Sequence, residues 1–286
     1  MKFDQEKLKG MLWGLVVGDC MGSPIQFTSK KHHREITKME PAIDVYFMDL
    51  PKGYWTDDSS MAFCIMESVI QNQGYDLKDI AANFLRWYDT GFLSSCSRAF
   101  DIGRATHMAM QGLRKGELKN GVDSSQGNGS IMRFAPSFIL AEACGRPEIN
   151  IEIGDLTHCS SELHQLLDEL RLTFLALMEN DSSRIHSTHT RESVPNSGWA
   201  FDTIEAAYWA FCNYPTFREG MLAAVNLGGD SDSIGAVYGQ LAGAYFGFSA
   251  IPQEWIHDVK DWQEIDARIA AFLNAIDIIR NNKQTK

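Results

Sequence analysis

The chain of 286 residues carries a net charge of −11, with 44% hydrophobic and 22% charged residues. This is the composition of a globular protein with a sizeable core. The negative balance argues against nonspecific nucleic-acid binding, whose affinity rests on Lys and Arg neutralising phosphates, and against anionic membranes. No run of about 18 apolar residues occurs, so no membrane-spanning helix is expected. The opening MKFDQEKLKG lacks the apolar core of a secretory signal. Cys20, Cys64, Cys96, Cys144, Cys159 and Cys212 show neither CxxC pairs nor zinc-type spacing. Reduced structural thiols, a cytoplasmic location and a monomer are the expectations. The length permits two domains, but no linker or repeat divides the chain, so one domain over 1–286 is expected.

Leu8, Met11, Leu12, Leu15 and Val16 mark one apolar face of an opening helix. The same periodicity predicts helices over 58–73, 77–89, 97–113, 129–144, 160–179, 200–213, 216–226, 232–246 and 261–280. Asp76 and Thr216 suit N-caps for two of them. Only residues 42–50, AIDVYFMDL, alternate like a strand, and they read equally as a loop. Without a βαβ rhythm a doubly wound sheet is not expected, and the fold class is all-α. The polar stretch 180–198 reads as a surface loop, with His186 and His189 solvated.

Two acidic clusters precede helical segments: Trp55-Thr56-Asp57-Asp58-Ser59 and Gly228-Gly229-Asp230-Ser231-Asp232-Ser233. Carboxylates at helix starts ordinarily cap free N–H groups and complement the helix dipole. Two dense clusters also offer hard oxygen donors suited to Mg²⁺, Mn²⁺ or Ca²⁺. Gathering them without a cation would be electrostatically costly. The glycine pair would let backbone approach a ligand closely. A third segment, Ser124-Ser125-Gln126-Gly127-Asn128-Gly129-Ser130, precedes IMRFAPSFILA and could present N–H donors to a phosphate, although GNG is also turn chemistry. No Gly-Lys-Ser/Thr follows, so it is not a Walker loop. His158 stands before a further helix, and by itself reads as a structural histidine.

Together WTDDS, GNGSIMR, Thr157-His158 and NLGGDSDSIGAVYGQLAGAYFG resemble the ADP-ribosylglycohydrolase family. GMLWGLVVGDCMGSPIQF is similar to that family's first helix and loop, with Gly18-Asp19 at its Gly-Asp pair. The likeness runs from about residue 8 to about residue 248. It implies a single all-α domain with a central cleft holding two divalent cations, Mg²⁺ or Mn²⁺. By position, it makes Thr56, Asp57, Asp58, Asp230, Asp232 and Ser233 metal ligands. Serine stands at Ser59, Ser231 and Ser233 where many members carry threonine, an equivalent hydroxyl. Ser125, Gly127, Asn128, Gly129 and His158 would hold the diphosphate and ribose, and Gln26 in the first loop is a further substrate-binding candidate. Trp199 falls at a position lining the ADP-ribose pocket, or else is a core aromatic.

Residues 97–103, SRAFDIG, resemble the FDIG segment of the dinitrogenase reductase-activating glycohydrolases, which act on ADP-ribosylarginine. Asp101 would hold a guanidinium through two parallel hydrogen bonds. The resemblance thus implies a metal-dependent hydrolase that cleaves the N-glycosidic bond of ADP-ribosylated protein side chains and releases ADP-ribose. Asp57 and Asp58 would orient or deprotonate the water. Two departures stand out. Gln26 replaces a glutamate of many members, and Gln126 replaces an aromatic that stacks on adenine in some. The alternatives are an ADP-ribose-binding protein without turnover, supported by Gln26, and a hydrolase of another linkage: serine, O-acetyl ADP-ribose or a nucleic-acid base.

Overall fold

Glycine recurs every fourth residue at Gly10, Gly14, Gly18 and Gly22, and again at Gly235, Gly239 and Gly243. Four-residue spacing places each set on one face of a helix. In the computed structural model, which describes residues 4–29, 34–45, 48–121 and 126–284, the two faces lie against each other. A Cβ on Gly14 would stand 2.0 Å from the Gly239 carbonyl oxygen, and one on Gly18 would stand 2.0 Å from that of Gly235. Backbone meets backbone here, and a side chain at either position would force the helices apart.

Twelve α-helices run through the described residues: α1 (Gln5–Gly22), α2 (Asp57–Asn72), α3 (Leu77–Thr90), α4 (Arg104–Arg114), α5 (Phe134–Cys144), α6 (Ile149–Asp155), α7 (Ser161–Met178), α8 (Ala200–Asn213), α9 (Phe217–Val225), α10 (Ser231–Phe246), α11 (Gln253–Asp258) and α12 (Trp262–Gln284). Among the described residues the strand content is one antiparallel pair, β1 (Ala42–Val45) and β2 (Met48–Leu50), so the segment that alternates is strand on both sides of its centre, and the all-α class holds. α1 and α10 are buried on nearly every side, which explains their lack of a polar face. They run antiparallel, because Gly10 meets Gly243 while Gly22 meets Ser231. The end of α1 is thereby delivered to the start of α10. Around this pair α2 packs on α3 and α12, α5 on α6 and α12, and α8 and α9 on α10.

Most predicted helices are present, and both predicted caps form: Asp76 accepts from the amides of Lys78 and Asp79, and Thr216 from that of Glu219. Three differences matter. Helix α4 begins at Arg104 rather than at 97, because Asp101 adopts a left-handed φ of 59° that breaks any helix through it. Asn128–Ser130 is a single 3₁₀ turn, so α5 begins at Phe134 rather than at 129. The short helices α6 and α11 carried too few turns to show periodicity. Residues 180–198 contain no helix, as expected of a loop. All six cysteines are free thiols.

Candidate active site

The site is built from the starts of α2 and α10 and from the segments that carry Gln26, Asp101, Gly127, Asn128, Gly129 and His158. At α2, Thr56 is the N-cap and its hydroxyl accepts from the Asp58 amide at 3.4 Å. Two more amides there, those of Thr56 and Ser59, are taken by Asp19, which reaches over from α1. Its carboxylate accepts from the amide of Thr56 at 3.0 Å, the amide of Ser59 at 3.0 Å and the hydroxyl of Ser59 at 2.6 Å. Capping is therefore the work of Thr56 and Asp19. Asp57 and Asp58 are left to face the cleft.

The same holds at α10. Asp230 occupies the N-cap position but makes no side-chain cap hydrogen bond. Its carboxylate instead accepts from Asn128 Nδ2 at 2.6 Å. Gly228 and Gly229 both have left-handed φ, 63° and 64°, and the amide of Gly229 donates to the Thr28 carbonyl at 2.8 Å. A Cβ on Gly229 would stand 1.9 Å from the Asn196 carbonyl. The glycine pair thus admits the chain's own loops rather than a ligand, and it locks the loop carrying Gln26 onto the start of α10.

The two acidic segments meet: Ser233 Oγ donates to Asp58 Oδ1 at 3.3 Å. They line a cleft of about 360 Å³ with Gln26, Asp57, Asp58, Asp101, Gly127, Asn128, Gly129, His158, Asp230, Asp232 and Ser233 on its walls. Thr56 is buried behind them and is not part of the lining. Trp199 is 54% exposed, so it is not a core aromatic, and it also lies outside the lining. Its segment is nevertheless tied to the site, since Gly127 pairs with Trp199 in a β-bridge and the Asn128 amide donates to the Gly198 carbonyl at 3.0 Å. Ser125 lies outside the described residues.

Gln26 is 7% exposed, and its Nε2 donates to Asp101 Oδ2 at 3.1 Å. Its Oε1 is buried without a partner. Asp58 Oδ2 and Asp232 Oδ1 are likewise buried and unpartnered. Burial first, and then mutual repulsion, holds these carboxyls far above the usual carboxylate range. For Asp57 the repelling neighbours are led by Asp101 and Asp58, for Asp58 by Asp19 and Asp230, and for Asp232 by Asp101 and Asp230. Burial raises Asp19 to about 6, against the lowering effect of the donors from Ser59 and Thr56. Orphaned buried oxygens on mutually repelling carboxylates fit hard divalent cations.

Sequence reasoning named Asp19 only as part of a motif and passed over Arg133, which lies 1% exposed behind the cleft. Its guanidinium donates to the Gly129 carbonyl and, at 2.7 Å, to Thr157 Oγ1. A buried arginine in the GNGSIMR stretch was the available signal. Elsewhere Asp155, Cys159 and His164 bring three potential ligand atoms within 4.8 Å of one another, outside the cleft lining. There His164 Nε2 already lies 2.6 Å from Asp155 Oδ1, and Lys119 Nζ 3.7 Å from Asp155 Oδ2.

A family model described as ADP-ribosylglycohydrolase matches residues 2–165 and 152–282. An ADP-ribosylarginine hydrolase, Tri1, of Pseudomonas putida is 32% identical over 94% of this chain and 78% of its own length. The ADP-ribosyl-[dinitrogen reductase] glycohydrolase of Rhodospirillum rubrum is 26% identical over 94% of this chain and 96% of its own. Among solved structures, an ADP-ribosylglycohydrolase-related protein complex superposes with a TM-score of 0.79 at 31% identity, covering 96% of this chain and 100% of that one.

Proposed function

This chain belongs to the ADP-ribosylglycohydrolase family, and from that premise we propose that it hydrolyses the N-glycosidic bond of ADP-ribosylarginine in modified proteins. It would do so in the cytoplasm, as a monomer with one catalytic domain over residues 1–286. No helix among the described residues is long and apolar enough to cross a membrane. One observation carries the reading: the acidic starts of α2 and α10 meet in a cleft, while Thr56 and Asp19 cap α2 and Asp230 makes no capping bond at α10. Carboxylates relieved of capping and left with orphaned oxygens are positioned for ligands.

Asp57, Asp58, Asp230, Asp232 and Ser233, with Thr56 behind them, would hold two divalent cations, Mg²⁺ or Mn²⁺. Such a pair, when bound, supplies an anchor for the ribose hydroxyls and a more acidic water. Asp57 or Asp58 would orient the attacking water and take its proton as the water oxygen bonds to the anomeric carbon. The bond from that carbon to the arginine nitrogen breaks, and the departing nitrogen gains the proton that the carboxylate took from water, so ADP-ribose and unmodified arginine are released. Positive charge developing on the sugar faces the surrounding carboxylates, which stabilise it. Asp101 would receive the guanidinium, with Gln26 Nε2 steadying its carboxylate. Gly127, Asn128, Gly129 and His158 form the wall suited to the diphosphate and ribose, with Ser125 and Trp199 flanking it in sequence or at the rim.

Release of free ADP-ribose from arginine-, serine- and glutamate-linked substrates, with Mg²⁺, Mn²⁺ and EDTA compared, tests the reading. Turnover of the arginine linkage that EDTA abolishes is the expected result. Turnover only of another linkage, or turnover indifferent to EDTA, would overturn it.

A further inference from the structure

The wall that carries His158 is backed by a chain of hydrogen bonds that the reaction scheme above does not use. We propose that Arg133 and Thr157 are positioning residues that hold His158 as its Nε2–H tautomer, so that the ring presents one fixed donor to the anionic part of the substrate. The second half of this proposal rests on the reading of the cleft as an ADP-ribose site. The first half stands on hydrogen-bond accounting alone.

Arg133 can only donate, and its Nη2 lies 2.7 Å from Thr157 Oγ1. The threonine oxygen therefore accepts from arginine and has one proton to place. His158 Nδ1 lies 2.7 Å from the same oxygen, and no other acceptor stands within hydrogen-bonding distance of it among the described residues. The hydroxyl must donate to Nδ1, because a buried O–H without an acceptor is costly. Nδ1 is then unprotonated, and the ring's single proton sits on Nε2.

Burial and the geometry of the loop fix where that proton points. Thr157 is fully buried, Arg133 is 1% exposed and His158 3% exposed. The Cε1–Nε2 edge of the ring lies against the glycine loop: a Cβ on Gly129 would stand 2.4 Å from Cε1, and one on Gly127 would stand 3.3 Å from Nε2. His158 and both glycines line the cleft. Arg133 also donates to the Gly129 carbonyl, so one guanidinium fixes the ring and the loop it faces. Burial, seconded by the arginine charge, pushes His158 down to about 3, in keeping with a ring that stays neutral. A neutral N–H donor beside backbone amides suits a diphosphate or ribose oxygen in a site already crowded with titratable groups.

Long-range ¹H–¹⁵N spectra of the histidine rings in the full-length, ligand-free protein test the tautomer directly. His158 is assigned by its loss in His158→Gln. The expected spectrum shows Nε2 protonated and Nδ1 unprotonated. In Thr157→Val this pattern should break down and affinity for ADP-ribose should fall about tenfold, while Thr157→Ser should restore both. A wild-type ring protonated at Nδ1, or at both nitrogens at neutral pH, overturns the proposal, and that spectrum decides even if Thr157→Val fails to fold. Retention of the tautomer in a folded Thr157→Val also overturns it. Loss of the tautomer without loss of ADP-ribose affinity overturns the donor role. If wild type binds no ADP-ribose, the failure lies instead in the reading of the cleft.

Discussion

Gln26→Glu replaces an amide that donates to Asp101 Oδ2 at 3.1 Å with a group that, ionised, would oppose it. Two unit charges at that distance repel by about 5 kcal/mol at an effective dielectric of about 20. The site is buried, since Gln26 is 7% exposed, so solvent relieves little of this. The new side chain escapes by keeping a proton, and its O–H then donates to Asp101 as the amide N–H did. Near neutral pH the variant should change kcat/KM by less than about tenfold, or about 1.4 kcal/mol. As pH rises and that proton leaves, the carboxylates repel and the variant should lose activity. Wild type has no loop carboxylate to titrate, so the difference between the two profiles reports the substitution. The assay is release of ADP-ribose from ADP-ribosylarginine between about pH 6 and 9. Wild-type inactivity on every linkage, with turnover restored by orders of magnitude in Gln26→Glu, would refute this reasoning and identify the protein as a binder of ADP-ribosylated targets.

Asp58→Ala should lower metal-dependent turnover by about 100-fold or more while circular dichroism shows the fold retained, and Asp230→Ala should behave alike. Asp101→Asn, which tolerates the left-handed φ of 59°, should cost about 2–4 kcal/mol in kcat/KM on ADP-ribosylarginine. Its affinity for free ADP-ribose should change little, and equal losses would assign Asp101 to the fold or nucleotide pocket. The carboxyls raised by burial and repulsion bind protons more tightly folded than unfolded, so their stabilising contribution is complete below about pH 4. It is lost as pH rises through the raised values, about 6 for Asp19. The calorimetric rise in Tm on adding Mn²⁺ to EDTA-treated protein should therefore be larger near pH 7.5 than near pH 5, and the reverse order would contradict the cation assignment. Gly14→Val, whose Cβ would sit 2.0 Å from the Gly239 carbonyl, should lower Tm by about 5 °C or more. Gly74→Ala, meeting only the Asn72 carbonyl at 3.6 Å, should leave it unchanged.

Helices with long amphipathic periods were legible in the sequence, as were caps whose partners lie within three residues, such as Asp76 and Thr216. So was the convergence of Asp57 and Asp58 with Asp230 and Asp232, through the resemblance that makes them ligands of one site, although capping alone would explain either cluster taken singly. What remained hidden depends on distant partners. Asp19 caps α2 from 37 and 40 residues away, and no local pattern announces it. The break at Asp101 comes from a single left-handed residue inside a helical period. The four-residue glycine stripes were in plain view, but their meaning depends on which two helices meet. Arg133 hid behind a motif whose small residues drew the reading toward phosphate.

That backbone-to-backbone seam also governs when the protein can become competent. Ser231 Oγ donates to the Gly22 carbonyl across 209 residues of chain. Closing so long a loop is entropically slow. During synthesis, α1 must wait with its apolar faces unmatched until α10 has been made, and a ribosome-bound fragment lacking α10 has half of its acidic cleft. The carboxylates of α2 are thus not brought against those of α10 until most of the chain exists, which spares the nascent protein their repulsion. The same interval is its greatest exposure to aggregation. Chain-length-resolved trapping of the nascent protein should show protease resistance arriving abruptly once α10 has emerged, rather than helix by helix.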